Sequence, residues 1–139
     1  MRNALLSILF LLIPFGGFSQ KNLISYDDVK YLISNNLNHA DSFLVAKGYI
    51  IFKKDIKKGT RRYRLDFKGG TNSEIGIRQD GKKIFVEIMT NEIDQYNLIK
   101  ESITQYLNKD VLVGDIQSYN VKDLGTIYIS ISDTEPYNP

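Results

Sequence analysis

The chain has 139 residues, with 18 Lys and Arg against 16 Asp and Glu, one His and no Cys. A formal charge of +2 gives no global attraction to nucleic acid or to a membrane surface. Zero Cys excludes disulfides, thiol catalysis, thiolate zinc sites and a lipid-bearing cysteine, so packing alone must hold the fold.

The first segment reads as an address. Arg2 precedes an apolar run from Ala4 to Ile13, broken only by Ser7, and Pro14 and Gly16-Gly17 follow. Gly17-Phe18-Ser19 puts small residues at the two positions a signal peptidase reads. The run is about 10 residues, half of what a spanning helix needs. The expected organisation is a signal peptide over 1–19 and a single α+β domain over 20–139, with 20–24 as linker and 133–139 as a flexible tail. Cleavage leaves no transmembrane anchor, and the protein is expected to be exported, periplasmic or extracellular. Loss of Arg2 leaves 17 Lys and Arg against 16 Asp and Glu, a charge of +1.

Ser25 and Asp28 have the spacing of a capping box that opens the first helix. Val29, Leu32, Ile33, Leu37, Ala40 and Leu44 then recur at helical spacing up to Gly48, with Asn35, Asn36 and Asn38 as a point of bending. Four strands are expected next: Tyr49–Lys54, Arg61–Lys68, Ser73–Gln79 and Lys82–Thr90. Tyr63, Leu65 and Phe67 alternate with Arg62, Arg64 and Asp66, one face apolar and one wet. Asp80-Gly81 is a two-residue hairpin signal. A second helix is expected after Thr90, capped by Asn91 with Asp94, with Tyr96, Ile99, Ile103, Tyr106 and Leu107 as its apolar stripe. Strands near Leu112–Asn120 and Thr126–Ser132 end the chain.

The order α-β-β-β-β-α-β-β predicts an α+β fold, an antiparallel sheet of about six strands with two helices packed on one face. A faint internal repeat pairs the first helix and hairpin with the second helix and the last hairpin. Both hairpins carry Lys, then Gly-Thr, then an aromatic strand, and two amphipathic hairpins also share that pattern by chance.

Catalytic and metal-binding signatures are missing. His39 has only Asp41 nearby, and at i+2 on a helix that carboxylate points away. Zinc would need mostly carboxylates, and no Asp/Asn/Gly series matches a calcium loop. Gly69-Gly70-Thr71 follows a strand, as phosphate loops do, but lacks the Gly spacing and Lys, and a strand follows it. Asp27, Asp28, Glu92, Asp94, Asp110 and Asp115 have helix-start or turn positions or lie scattered. Glu87 shares a strand face with Phe85 and Met89, which is either solvent-exposed or covered by a partner.

The sharpest local feature is a basic hairpin. Lys53, Lys54, Lys57, Lys58, Arg61, Arg62, Arg64 and Lys68 fall within 16 residues with only Asp55 and Asp66 against them, a local charge of +6. Such a patch suits phosphate, an anionic envelope glycan or an acidic protein surface. It also suits a solvated hairpin whose lysines guard a sheet edge.

The Phe18-Ser19-Gln20 signal end, the Asn/Lys/Ile-rich composition and the Lys47-Gly48-Tyr49 step from helix to strand resemble small exported proteins of Bacteroidota. The helix followed by four strands, with a partial second copy two strands short, is similar in outline to the beta-lactamase inhibitor protein architecture. That resemblance implies a protein that presents a sheet face. The expectation is therefore a non-enzymatic binding or interaction protein without a cofactor. Its partner would be a protein or an anionic envelope component, not nucleic acid. The expected exposed face holds Tyr49, Arg62, Arg64, Phe85, Met89 and Tyr128. A carboxylate-dependent hydrolase built on Glu87 and a structural accessory subunit of an envelope assembly are the alternatives.

Overall fold

The computed structural model describes residues 22–107 and 116–131. The expected signal peptide, residues 112–115 of the expected fifth strand and the expected tail lie outside them. Helix α1 (Tyr26–Ser34) opens on the expected capping box: the Ser25 hydroxyl accepts from the Asp28 amide at 3.2 Å, and the Asp28 carboxylate accepts from the Ser25 amide at 2.8 Å. The single helix expected from periodicity is two. Asn35 and Asn36 are extended, and the Asn36 side chain accepts from the Asn38 and His39 amides to cap α2 (Leu37–Ala46). A short Asn side chain satisfies these orphan donors at a helix start and competes with the backbone in a helix interior, so the apolar stripe survives a break in the helix. Gly48 then turns the chain at φ +95°.

Strands β1 (Ile50–Asp55), β2 (Thr60–Asp66), β3 (Asn72–Asp80) and β4 (Lys83–Thr90) form an antiparallel meander in sequential order. α1 and α2 lie on one of its faces. Beneath them Leu32, Ala40 and Leu44 meet Tyr49, Tyr63, Ile75 and Ile77 in a closed cluster, edged by Ile51, Leu65, Ile84, Val86 and Ile88. Leu32, Leu44 and Ile75 have no exposed surface. Each such side chain is worth about 1.5–3 kcal/mol relative to exposure, which is how a chain without disulfides holds together.

Helix α3 (Ile93–Ile103), a 3-10 turn (Thr104–Tyr106) and the hairpin of β5 (Gln117–Val121) and β6 (Gly125–Ile129) build a second cluster around Ile103, Tyr119 and Val121. Among the described residues, the expected six-stranded sheet and two helices are thus corrected to a four-stranded and a two-stranded sheet with three α-helices. Ile127 and Ile129 pack with Ile99, Tyr106 and Leu107, so the last hairpin buries its apolar face against α3's own cluster. Glu92, not Asn91, caps α3 through the Asp94 amide. The Asn91 side chain instead accepts from the Asn72 amide at 2.7 Å, closing the end of the β3–β4 ladder.

Leu23 and Ile24, read from the sequence as linker, belong to the core; Ile24 is fully buried. Gln95 on α3 holds it by both ends of its backbone. The Ile24 amide donates to Gln95 Oε1 at 2.7 Å, and Gln95 Nε2 donates to the Ile24 carbonyl at 2.8 Å. This buried amide imitates a strand partner and joins Ile24 to α3. Among the described residues no helix is long and apolar enough to cross a membrane.

Candidate functional site

The eight cations of the basic hairpin do not form one patch. The cause is a bulge. Ile51 pairs with Tyr63 on the helix-covered face, and Lys53 pairs with Arg62 on the open face, with Phe52 as the extra residue between them. Strict alternation would place Lys53 inward and Lys54 outward. The extra residue reverses both, so Lys54 turns toward the helices together with its neighbour Arg61.

On the covered face these two cations meet Asp41 of α2. Lys54 Nζ lies 2.9 Å from Asp41 Oδ2, Arg61 Nε lies 3.6 Å from Oδ1, and the Tyr63 hydroxyl donates to Oδ1 at 2.6 Å. Burial by itself would raise the Asp41 pKa. The Tyr63 hydrogen bond and the Lys54 and Arg61 charges outweigh it and hold the carboxyl below its ordinary value. Burial, then the hydrogen bond to an ionised Asp41, drives the Tyr63 pKa upward. His39, two residues from Asp41, is exposed and bonded to Asn36 through Nδ1 at 3.0 Å. The expected divergence of His39 and Asp41 thus holds.

Among the described residues, no helix lies over the open face. Across it run Ile50, Arg64, Glu74 and Met89 in one row, Lys53, Arg62, Gly76 and Glu87 in the next, and Thr60, Arg78 and Phe85 in a third. Arg62 reaches Glu87 at 3.4 Å, and Arg64 bonds Asp66 at 2.9 Å and Glu74 at 3.2 Å. Arg78 stacks over the Phe85 ring at 4.8 Å. Gly76 lies under the Arg62–Glu87 bridge; a Cβ there would come within 3.2 Å of the Glu87 carboxylate. Around these pairs, Ile50 is 63% exposed, Phe52 49%, Phe85 46% and Met89 41%.

Of the residues expected on this face, Arg62, Arg64, Phe85 and Met89 are there. Tyr49 is not: it is 1% exposed and part of the core. Tyr128 is exposed, but on the separate β5–β6 hairpin. Lys68 lies past the end of β2, in the β2–β3 connection. Lys57 and Lys58 lie in the β1–β2 turn, at the opposite end of the hairpin. Glu87 is bound to Arg62 at 3.4 Å on the open sheet face. Among the described residues no group of three or more His, Asp or Glu is placed to hold a metal ion.

A depression of about 610 Å³ opens at the other end of the covered face. Residues 36–38 at the start of α2, 56–59 in the β1–β2 turn and 79–81 in the β3–β4 turn line it, together with Arg61. Gly59 clasps the two turns together. Its φ is +59°, its carbonyl accepts from the Gln79 amide at 2.9 Å, and a Cβ would stand 3.0 Å from the Gln79 carbonyl.

The chain matches no family model, no curated protein and no solved structure. Its own surfaces therefore carry the functional argument. Sequence alternation pointed to the open face. The bulge at Phe52 and the Asp41 cluster escaped it, because a bulge has no composition signal when both flanking residues are lysines and aliphatics.

Proposed function

We propose that the protein is an exported, non-enzymatic binding module that docks another protein on the open face of its four-stranded sheet. One observation carries this reading. Phe52, Phe85, Met89 and Ile50 are exposed around Arg62, Arg64 and Arg78 on a face that no helix covers among the described residues. Aromatic residues, Met and Arg are the types enriched in protein interfaces. Small-molecule sites are concave, whereas this surface is an open pleated face, which favours a macromolecular partner. The arginines are pre-positioned by Glu87, Asp66, Glu74 and the Phe85 ring, so docking orders few side chains. Export rests on the tripartite pattern of residues 1–19.

A photo-crosslinking residue placed at Phe85 in the full chain, in the cells that make it, tests the docking face. The expected result is one discrete heteromeric adduct, lost in Phe52→Asp, and absent when the probe stands at Glu101 on α3. Equal adducts from positions 85 and 101, or an adduct only to a second copy of the chain, would overturn the reading. Fractionation tests export, with a shortened chain expected outside the cytoplasm and full-length chain confined to the cytoplasm as the contrary result.

A further inference from the structure

The second feature lies on the opposite side of the sheet and is independent of the docking face. Arg61 is 8% exposed, and one of its guanidinium nitrogens, Nε, has no hydrogen-bond acceptor. Nη1 donates to the Thr60 carbonyl at 3.0 Å, while Nε makes no hydrogen bond. Asp41 does not fill the gap, since Tyr63 and Lys54 hold its oxygens at 2.6 and 2.9 Å and leave Arg61 Nε at 3.6 Å. One carboxylate thus serves two cations, and the group of Asp41, Lys54 and Arg61 keeps an excess positive charge. The orphaned Nε is sealed from solvent beside Asp41, so an incoming anion would meet the guanidinium at its other nitrogens.

Arg61 also lines the depression at the start of α2. Lys57 and Lys58 stand on its rim, and Asp80 is its one carboxylate, giving the lining a charge of +2. The ten-residue helix α2 begins in its wall, with the positive end of its dipole at Asn36 and Leu37. Gly59 locks the lysine-bearing turn against the β3–β4 turn, so the rim is held to the wall. We propose that this depression is an anion site that binds a phosphate monoester group, with Arg61 as the buried donor and Lys57 and Lys58 as the rim cations. A dianionic phosphate matches the +2 lining, and its oxygens accept from a guanidinium at short range. Free phosphate and a phosphate carried on a lipid headgroup share this chemistry.

The test titrates the purified protein with inorganic phosphate at low ionic strength by calorimetry, and with phosphatidate-containing vesicles against phosphatidylcholine vesicles by flotation. Saturable binding of either probe is expected, with amide shifts confined to residues 36–38, 57–59 and 79–81 for the soluble probe. Arg61→Met is expected to weaken binding by about tenfold or more, the worth of one charge-assisted hydrogen bond. The double variant Lys57→Gln/Lys58→Gln alters exposed turn residues, so it keeps the wild-type urea midpoint and weakens binding several-fold. Binding of phosphate alone assigns a soluble source, and binding of vesicles alone a lipid-borne one. Neither probe binding would overturn the proposal, as would affinity unchanged in Arg61→Met. Should Arg61→Met not fold, unchanged affinity in the lysine variant overturns it on its own. Phe85→Asp, on the other face, leaves phosphate binding intact, which separates this site from the docking face.

Discussion

Arg61 and Arg62 are neighbours in sequence, and the sheet divides them between two environments. Arg61 faces the helices, almost buried, beside a carboxylate that also serves Lys54 and Tyr63. Arg62 faces solvent, 39% exposed in its side chain, with Glu87 as a partner that is itself 58% exposed. The same residue type is a nearly buried charge on one face and a solvated one on the other. Dielectric makes the difference: a pair removed from water must be complete, while an exposed pair is nearly indifferent to loss of a member.

The comparison breaks most visibly at Asp41. Asp41→Asn removes the charge that compensates Lys54 and Arg61, and the expected loss at neutral pH is about 3 kcal/mol by urea denaturation. The sign of its pH dependence follows from the depressed pKa. The Asp41 contribution is full above the unfolded value near pH 4 and is lost as pH falls through the lower folded value. The gap between wild type and Asp41→Asn should therefore close in acid; a gap that stays constant down to pH 2–3, to order of magnitude of the usual carboxylate range, would show that packing and not charge is responsible.

A neutral buried pair should come next. Gln95→Leu keeps the volume on α3 but orphans both the amide and the carbonyl of Ile24. The expected cost is about 2 kcal/mol, with faster amide exchange at Ile24 than elsewhere in α1's entry. An unchanged urea midpoint would mean that Ile24 finds other partners. The smallest effect belongs to the open face. A double-mutant cycle of Arg62→Ala and Glu87→Ala should give a coupling of about 0.5 kcal/mol or less. A coupling several times larger would place the open-face pair in the same class as the Asp41 cluster and erase the contrast.

Much of this architecture is legible from local chemistry. The Ser25–Asp28 capping box, Gly48 as the stop of the helical region and the four strands appear where spacing puts them, because each depends on interactions within a few residues; the expected Asp80-Gly81 turn is displaced by one, with Asp80 paired to Lys83 across Gly81 and Lys82. Alternation in β2 and β4 likewise assigned Arg62, Arg64, Phe85 and Met89 to one face. The misreadings have a common origin. Tyr49 reads as an exposed strand residue, but it follows Gly48 directly into the core. Ile24 reads as linker, but Gln95, 71 residues later, bonds both its amide and its carbonyl. The basic run reads as one patch, but the bulge at Phe52 sorts it onto two faces and a turn.

By itself, then, the sequence determined the α+β class, the absence of thiol chemistry and the positions of nearly every strand. These follow from periodicity, capping and composition, which act within one turn or one strand. Only the tertiary structure decided that the last hairpin forms its own sheet, that Asn36 starts a second helix that carries Asp41, and that Arg61 lies under that helix while Arg62 faces water. Those outcomes depend on contacts between residues far apart in the chain, where burial changes the worth of a charge several-fold and no local pattern records which neighbour will arrive.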